Sequence, residues 1–373
     1  MESFERGIWK FNNVKSTHYF TGENVDMSGD IQQLTFTQPT DEPDIDVILK
    51  DYRKAAEIHK QVRKEMRDML KREAKLYDIV SQTENRIVQL CGIGDKKTTF
   101  SSNSFGLPFP VGISINEVVC HDSSWPHDER ILYGGDLVKL DFGVMYNNCI
   151  IDSAFTHIVE NTSSKYQPIL DASQDATYTA ISISGVDARL IEVSEVIQEV
   201  IESYDLDDKP LTAVKGIGGH NITKDRVHAG KLILCVPDPC QEGQIMEEGE
   251  FYAIETFVTS GNGNLTHTGE TVDFQFNPDK FDSKQMKKFL KADKKGMEKW
   301  LVNRGHLPFS PWWLHYIDQG NDFRMRLKKH YSMGYVTAYP PLTDIKHSKS
   351  AQFEHTIYIS KNGVENLTFD DDY

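Results

Sequence analysis

Val138-Lys-Leu-Asp-Phe-Gly-Val-Met-Tyr-Asn-Asn-Cys-Ile-Ile-Asp-Ser-Ala-Phe-Thr156 is the stretch on which the fold turns. Apolar residues alternate through Val138, Leu140 and Phe142, and Asn147-Asn148 is a turn signal, so the spacing predicts an antiparallel hairpin. A two-residue loop sets Asp141 opposite Ala154, with Asp152 its diagonal neighbour; a four-residue loop opposes the two aspartates directly. Either register leaves two carboxylates on one face. Like charges that close repel unless a proton or a cation sits between them. The alternative is an ordinary solvated pair flanking a turn.

Working outward, 373 residues suffice for one large domain or two ordinary ones. A net charge of -15 argues against nucleic acid as the main ligand of the whole surface. The five cysteines are scattered without a CxxC, which points to a reducing compartment. The N-terminal residues carry no apolar signal region, and no run is long enough to span a bilayer. The expectation is a cytoplasmic protein with no membrane partner.

Residues 1–43 read as an irregular strap. Helical spacing begins after Pro43, with Asp44 as N-cap, and runs through Ile48, Tyr52, Ala55, Ile58, Val62, Met66 and Met69. A second helix is predicted from about Leu76 to Cys91, then strand-like segments from Val111 to Val159. The order repeats: helices at about Tyr166 to Ile183 and Val186 to Tyr204, strands at Lys231 to Val236 and Phe251 to Val258. Two helices then strands, twice over, predicts two related α+β halves. A helical insertion is expected over 276–335 within a catalytic domain spanning 44–373, before a final strand pair at Val336 to Tyr339 and Ala351 to Ile359.

Three further candidate ligands join the aspartates. His220 follows Gly-Ile-Gly-Gly, which permits close approach of backbone or substrate. Glu255 and Glu354 each interrupt an apolar strand, where an unpaired charge is costly. Four carboxylates and one imidazole carry a formal charge that balances two divalent cations. Oxygen-rich ligation with a single nitrogen favours Mn²⁺, Co²⁺ or Fe²⁺ over a thiolate-type zinc site.

At these residues the sequence resembles the type 2 methionine aminopeptidases. The matching stretches are Gly-Leu-Pro-Phe-Pro-Val-Gly-Ile-Ser-Ile-Asn116, His121, Lys-Leu-Asp-Phe-Gly143, Ile-Ile-Asp-Ser-Ala-Phe-Thr156 and Gly-Val-Asp-Ala-Arg189. They continue through Gly-His220, Arg-Val-His-Ala-Gly-Lys231, Glu-Glu-Gly-Glu-Phe-Tyr-Ala-Ile-Glu-Thr-Phe257, Tyr-Pro-Pro-Leu342, Ala-Gln-Phe-Glu-His-Thr356 and Asp-Asp-Tyr373. The resemblance implies the pita-bread fold, with pseudo-two-fold α+β halves around a curved antiparallel sheet. It also accounts for the helical insertion between Glu255 and Glu354.

Carried over residue by residue, the resemblance makes Asp152 and Glu354 bridging ligands of two divalent ions. Asp141 completes one ion, and His220 with Glu255 completes the other. It assigns His121 and His228 to catalysis and substrate binding beside the oxyanion, and Phe109, Val227 and Tyr339 to the methionine pocket. The implied activity is removal of the initiator methionine from nascent polypeptides by metal-hydroxide attack on the first peptide bond. One departure stands at the pocket edge. Relatives usually read Ser-His-Tyr where this chain has Val272-Asp273-Phe274, and a carboxylate beside an apolar slot must face solvent or hold its proton.

Two alternatives follow from the same fold: a proline-directed peptidase, and a non-catalytic protein that binds ribosomes or RNA. A monomer is expected. Between Lys280 and His330 stand 13 Lys and Arg against 5 Asp and Glu, a basic insertion in an acidic chain. That patch is either a solvated helical face or a contact for the ribosome surface.

Overall fold

The first helix, α1 (Ile45–Arg67), buries Leu49, Tyr52, Ala55, Ala56, Ile58, Val62 and Met66 along one face, as their three- and four-residue spacing requires. The computed structural model describes residues 45–94, 104–160, 164–293, 295–317 and 323–372. The strap expected over 1–43 and the Asp44 cap lie outside them. α1 touches both halves of the molecule. His59 stacks on Phe142 with ring centroids 4.1 Å apart, and Tyr52 stacks on Phe251 at 3.7 Å. α2 (Leu76–Leu90) lies against it, tied by Arg86 to Glu65 at 2.6 and 2.8 Å.

The strands that follow include β1 (Gly112–Ile115), β2 (Val118–Cys120), β3 (Leu137–Tyr146) and β4 (Cys149–Ile158). β3 pairs antiparallel with β1 on one side and β4 on the other. Tyr146 faces Cys149, so the hairpin loop has two residues, Asn147 (φ 51°) and Asn148 (φ 65°). Both stand in the left-handed region that a tight hairpin turn demands and asparagine tolerates. Asp141 accordingly sits opposite Ala154, and Asp152 opposite Gly143.

The second half repeats the plan. α3 (Gln167–Ile183) and α4 (Leu190–Glu202) precede β5 (Gly218–Ile222), β6 (Leu232–Leu234) and β7 (Phe251–Thr259). α4 starts four residues later than the apolar spacing from Val186 suggests, because Asp187 (φ 67°) breaks the helical path. Next come β8 (Asp273–Phe276), four helices α5 (Ser283–Lys291), α6 (Met297–Arg304), α7 (Leu314–Ile317) and α8 (Phe323–Ser332), then β9 (Val336–Tyr339), β10 (Ser350–Ser360) and β11 (Gly363–Asn366). The antiparallel order in this sheet is β6, β5, β7, β10, β11. The expected final strand pair does not form. β9 pairs with β8 and β10 with β7.

Side chains sew the two sheets together along β4 and β10. Ser153 Oγ donates to the Glu354 carbonyl at 2.7 Å, and Thr156 Oγ1 to the Gln352 carbonyl at 2.8 Å. Thr356 Oγ1 both donates to the Asp152 carbonyl (2.6 Å) and accepts from the Asp152 amide (2.9 Å). The C-terminal segment locks this seam from behind. Buried Arg63 holds Asp372 with two hydrogen bonds of 2.6 and 2.8 Å and donates to the Thr368 carbonyl, while Thr368 Oγ1 meets His355 Nδ1 and the Thr356 amide.

Candidate metal and catalytic centre

Five candidate ligands converge where the sheets meet. Glu255 on β7 stands directly opposite Glu354 on β10. His220 on β5 pairs with Ala253, two residues from Glu255. Asp141 and Asp152 face them from β3 and β4. Ligand atoms of Asp152, His220 and Glu354 lie within 4.8 Å of one another, and so do those of Asp141, Glu255 and Glu354. Glu354 is common to both groups. Glu255 sits with Asp141 here, because one amide joins them: Gln352 Nε2 donates to Glu255 Oε1 at 2.6 Å and to Asp141 Oδ2 at 2.9 Å.

Small residues make this convergence possible. A Cβ on Gly219 would lie 2.3 Å from the Ala253 carbonyl oxygen, so what approaches closely before His220 is the backbone of β7. A Cβ on Gly143 would lie 2.5 Å from both Pro108 and Phe109. Phe109 therefore packs across β3 at the position facing Asp152.

The electrostatics call for a cation. Asp152 and Glu354 are 4% and 1% exposed. Burial first, and mutual repulsion second, raise the carboxyls of Asp152, Glu255 and Glu354 well above their ordinary range. Burial also raises Asp141 to about 6, with the Gln352 hydrogen bond opposing it. Burial lowers His220 to about 4, so its ring is neutral at pH 7 and keeps a lone pair to give. His220 Nε2 lies 3.7 Å from Asp152 Oδ2, and sealed atoms such as Asp141 Oδ1 and His220 Nδ1 have no hydrogen-bond partner among the described residues. Oxygen donors around a neutral imidazole, with polar atoms left over, fit divalent metal.

Two more imidazoles border the centre. A short turn pairing Thr223 with Arg226 returns the chain so that His228 lies over His220, ring centroids 3.8 Å apart. Burial, then the two neighbouring histidines, hold His228 far below its ordinary value. His121 follows β2 in a left-handed conformation (φ 62°), and burial lowers it to about 4. Its ring meets Tyr339 edge-on at 5.9 Å. Val227 is buried beside His228.

Gln352 is a residue that strand patterning alone did not single out. Its signal was present, since Gln352, Glu354 and Thr356 alternate onto one face of β10. Gln352→Leu should raise the metal dissociation constant about 10- to 100-fold, as loss of a hydrogen bond to ligands does elsewhere. Calorimetric titration of the metal-free protein measures this, and parent-like affinity would remove Gln352 from the site.

Fold and donor set together define a metallopeptidase of the pita-bread class. The chain belongs to metallopeptidase family M24, whose profile matches residues 50–361, and within it to the type 2 methionine aminopeptidases. It is 38% identical over 333 residues to methionine aminopeptidase 2-1 of Penicillium rubens, covering 88% of this chain and 70% of that protein. Methionine aminopeptidase 2 of Komagataella phaffii is 36% identical, with 87% and 70% covered. Among solved structures, a thermophilic Arx1 superposes with a TM-score of 0.69 at 16% identity, covering 88% of this chain and 92% of that one. The Thermotoga maritima methionine aminopeptidase superposes at 0.58 with 19% identity, covering 87% and 97%. At such identities these structures speak for the fold alone.

Proposed function

We propose that this chain removes the initiator methionine from nascent polypeptides, using two divalent ions held by Asp141, Asp152, His220, Glu255 and Glu354. The observation that carries this is the convergence of those five side chains, with Glu354 common to two ligand groups. Bound ions in such a site supply an activated water and polarise the scissile carbonyl. The chain's own groups do the remaining work. His121 and His228, both neutral at pH 7, donate N–H groups to the oxygen on which charge develops. Phe109, Val227 and Tyr339 form the apolar wall for the first side chain. Water is excluded by the β4–β10 seam behind the carboxylates.

Metal-free and Mn²⁺-loaded protein should be compared on Met-Ala-Ser and on Ala-Pro peptides, with a metal count alongside. Metal-dependent release of methionine from the first is expected. Preference for the proline peptide supports the prolidase alternative, and turnover of neither supports a binding protein.

The basic insertion is assigned to the ribosome surface. Lys287, Lys288, Lys291 and Lys295 are exposed on α5 and just after it, while Lys294 lies outside the described residues. Their attraction to phosphate is long-range and salt-sensitive. Reversing these charges should weaken co-sedimentation with ribosomes at low salt, leaving tripeptide turnover intact. Unchanged sedimentation across a salt titration reduces the patch to a solvated face.

Among the described residues, no helix is long and apolar enough to cross a membrane.

A further inference from the structure

Asp273 has no task in the hydrolysis just described. It stands on β8 opposite Tyr339 of β9, the residue whose ring meets His121. Burial first, with the Asp141 charge adding to it, raises the Asp273 carboxyl, and after burial the Asp273 charge raises the Tyr339 phenol. Of its neighbours, Arg304 favours the ionised carboxyl by its charge. Tyr339 donates its hydroxyl to Gln275 Oε1 at 2.6 Å. Arg304, buried in α6, donates to the carbonyls of Leu107, Pro108 and Pro308 at 2.7 to 3.2 Å. Asp273 Oδ1 is sealed and has no hydrogen-bond partner among the described residues, although the residue as a whole is part-exposed. An apolar pocket has no use for such an oxygen, and leaving it without a hydrogen bond is costly.

We propose that Asp273 is a specificity-determining residue of the first-residue pocket, admitting unbranched N-terminal side chains that end in a hydrogen-bond donor, glutamine being the type, alongside methionine. The proposal rests on the aminopeptidase reading above and deepens it. A carboxyl offers an acceptor oxygen whether or not it carries a proton. The glutamine carboxamide matches the methionine side chain in length and lack of branching, and carries an N–H₂ at its end. It is uncharged, so the metal ligands do not repel or attract it. Norleucine has the same length and no donor, which makes the pair a direct reading of the hydrogen bond. Sites built around a polar group discriminate against partners that leave it unpaired, whereas purely apolar pockets discriminate weakly.

The test uses Mn²⁺-loaded parent, Asp273→Leu and Asp273→Asn on freshly deprotected Gln-Ala-Ser and on norleucyl-Ala-Ser. The readout is the glutaminyl-to-norleucyl ratio of kcat/KM. Asp273→Leu should lower that ratio at least about tenfold, by raising norleucyl turnover and lowering glutaminyl turnover. Asp273→Asn keeps an acceptor oxygen and should keep more of the parent ratio than the leucine variant does. Binding of free L-glutamine and L-norleucine, followed by thermal shift, should move in the same direction without depending on turnover. A smaller fall in the leucine variant overturns the proposal while leaving the aminopeptidase reading in place. If that variant does not fold, the parent's binding decides: glutamine bound at least as well as norleucine supports the assignment, and weaker binding overturns it. A metal-loaded parent that cleaves neither methionyl nor norleucyl peptide overturns the aminopeptidase reading, and this one with it.

Discussion

Asp152→Asn and Glu354→Gln should each lower kcat/KM on Met-Ala-Ser at least about 10³-fold while the far-ultraviolet circular dichroism stays that of the parent. The effect is large because each substitution removes a charge from the centre of the ligand set, and Glu354 is common to both groups. The fold should survive because neither carboxylate oxygen is needed for the seam. Backbone atoms of Asp152 and Glu354 make those bonds, to Thr356 and Ser153. Elemental analysis should find metal lost together with activity. Near-parent rates in both variants would sink the assignment of these residues as ligands.

Metal uptake should tighten steeply as pH rises. In the metal-free protein burial raises all four carboxyls, Asp141 to about 6, and repulsion adds to it at the other three, which stand well above their ordinary range. A carboxyl raised on folding contributes stability that is complete below its unfolded value near 4 and is lost as pH climbs through its folded value. The metal-free site therefore weakens the fold progressively from about pH 4 through 6 and beyond, and a divalent ion reverses the loss. Each proton displaced makes the apparent association constant rise about tenfold per pH unit. Calorimetry in two buffers of different ionisation enthalpy counts the protons released. The gap in Tm between loaded and chelated protein should widen from pH 5 to 7.5. An affinity flat across that range would mean that the carboxyls are already ionised without metal.

The hairpin was legible because its signals are local. Alternation placed Asp141 and Asp152 on one face, and the turn residues settled which of two registers holds. Glu255 and Glu354 were legible as charges inside apolar strands. What pairs with what was not. Nothing in Val336–Tyr339 says that its partner is Asp273–Phe276 rather than the strand that follows, since periodicity reports a face and not a neighbour. For the same reason Asp273 stood out as a departure in the sequence, while its position opposite Tyr339 required the fold. Gln352 was missed although its place was written in the strand. A neutral amide raises no alarm in an apolar run until two carboxylates are found at its tip.

The clamp between Arg63 and Asp372 joins residues 309 positions apart. A chain made from its N-terminus at about 5 to 20 residues per second exposes Arg63 some 15 to 60 s before its counter-ion exists. During that interval α1 carries a cation meant for the interior, with only water to hold it. Glu354, needed by both ligand groups, is also translated late. The centre is thus assembled only once Glu354 has been made, after most of the described scaffold that will hold it.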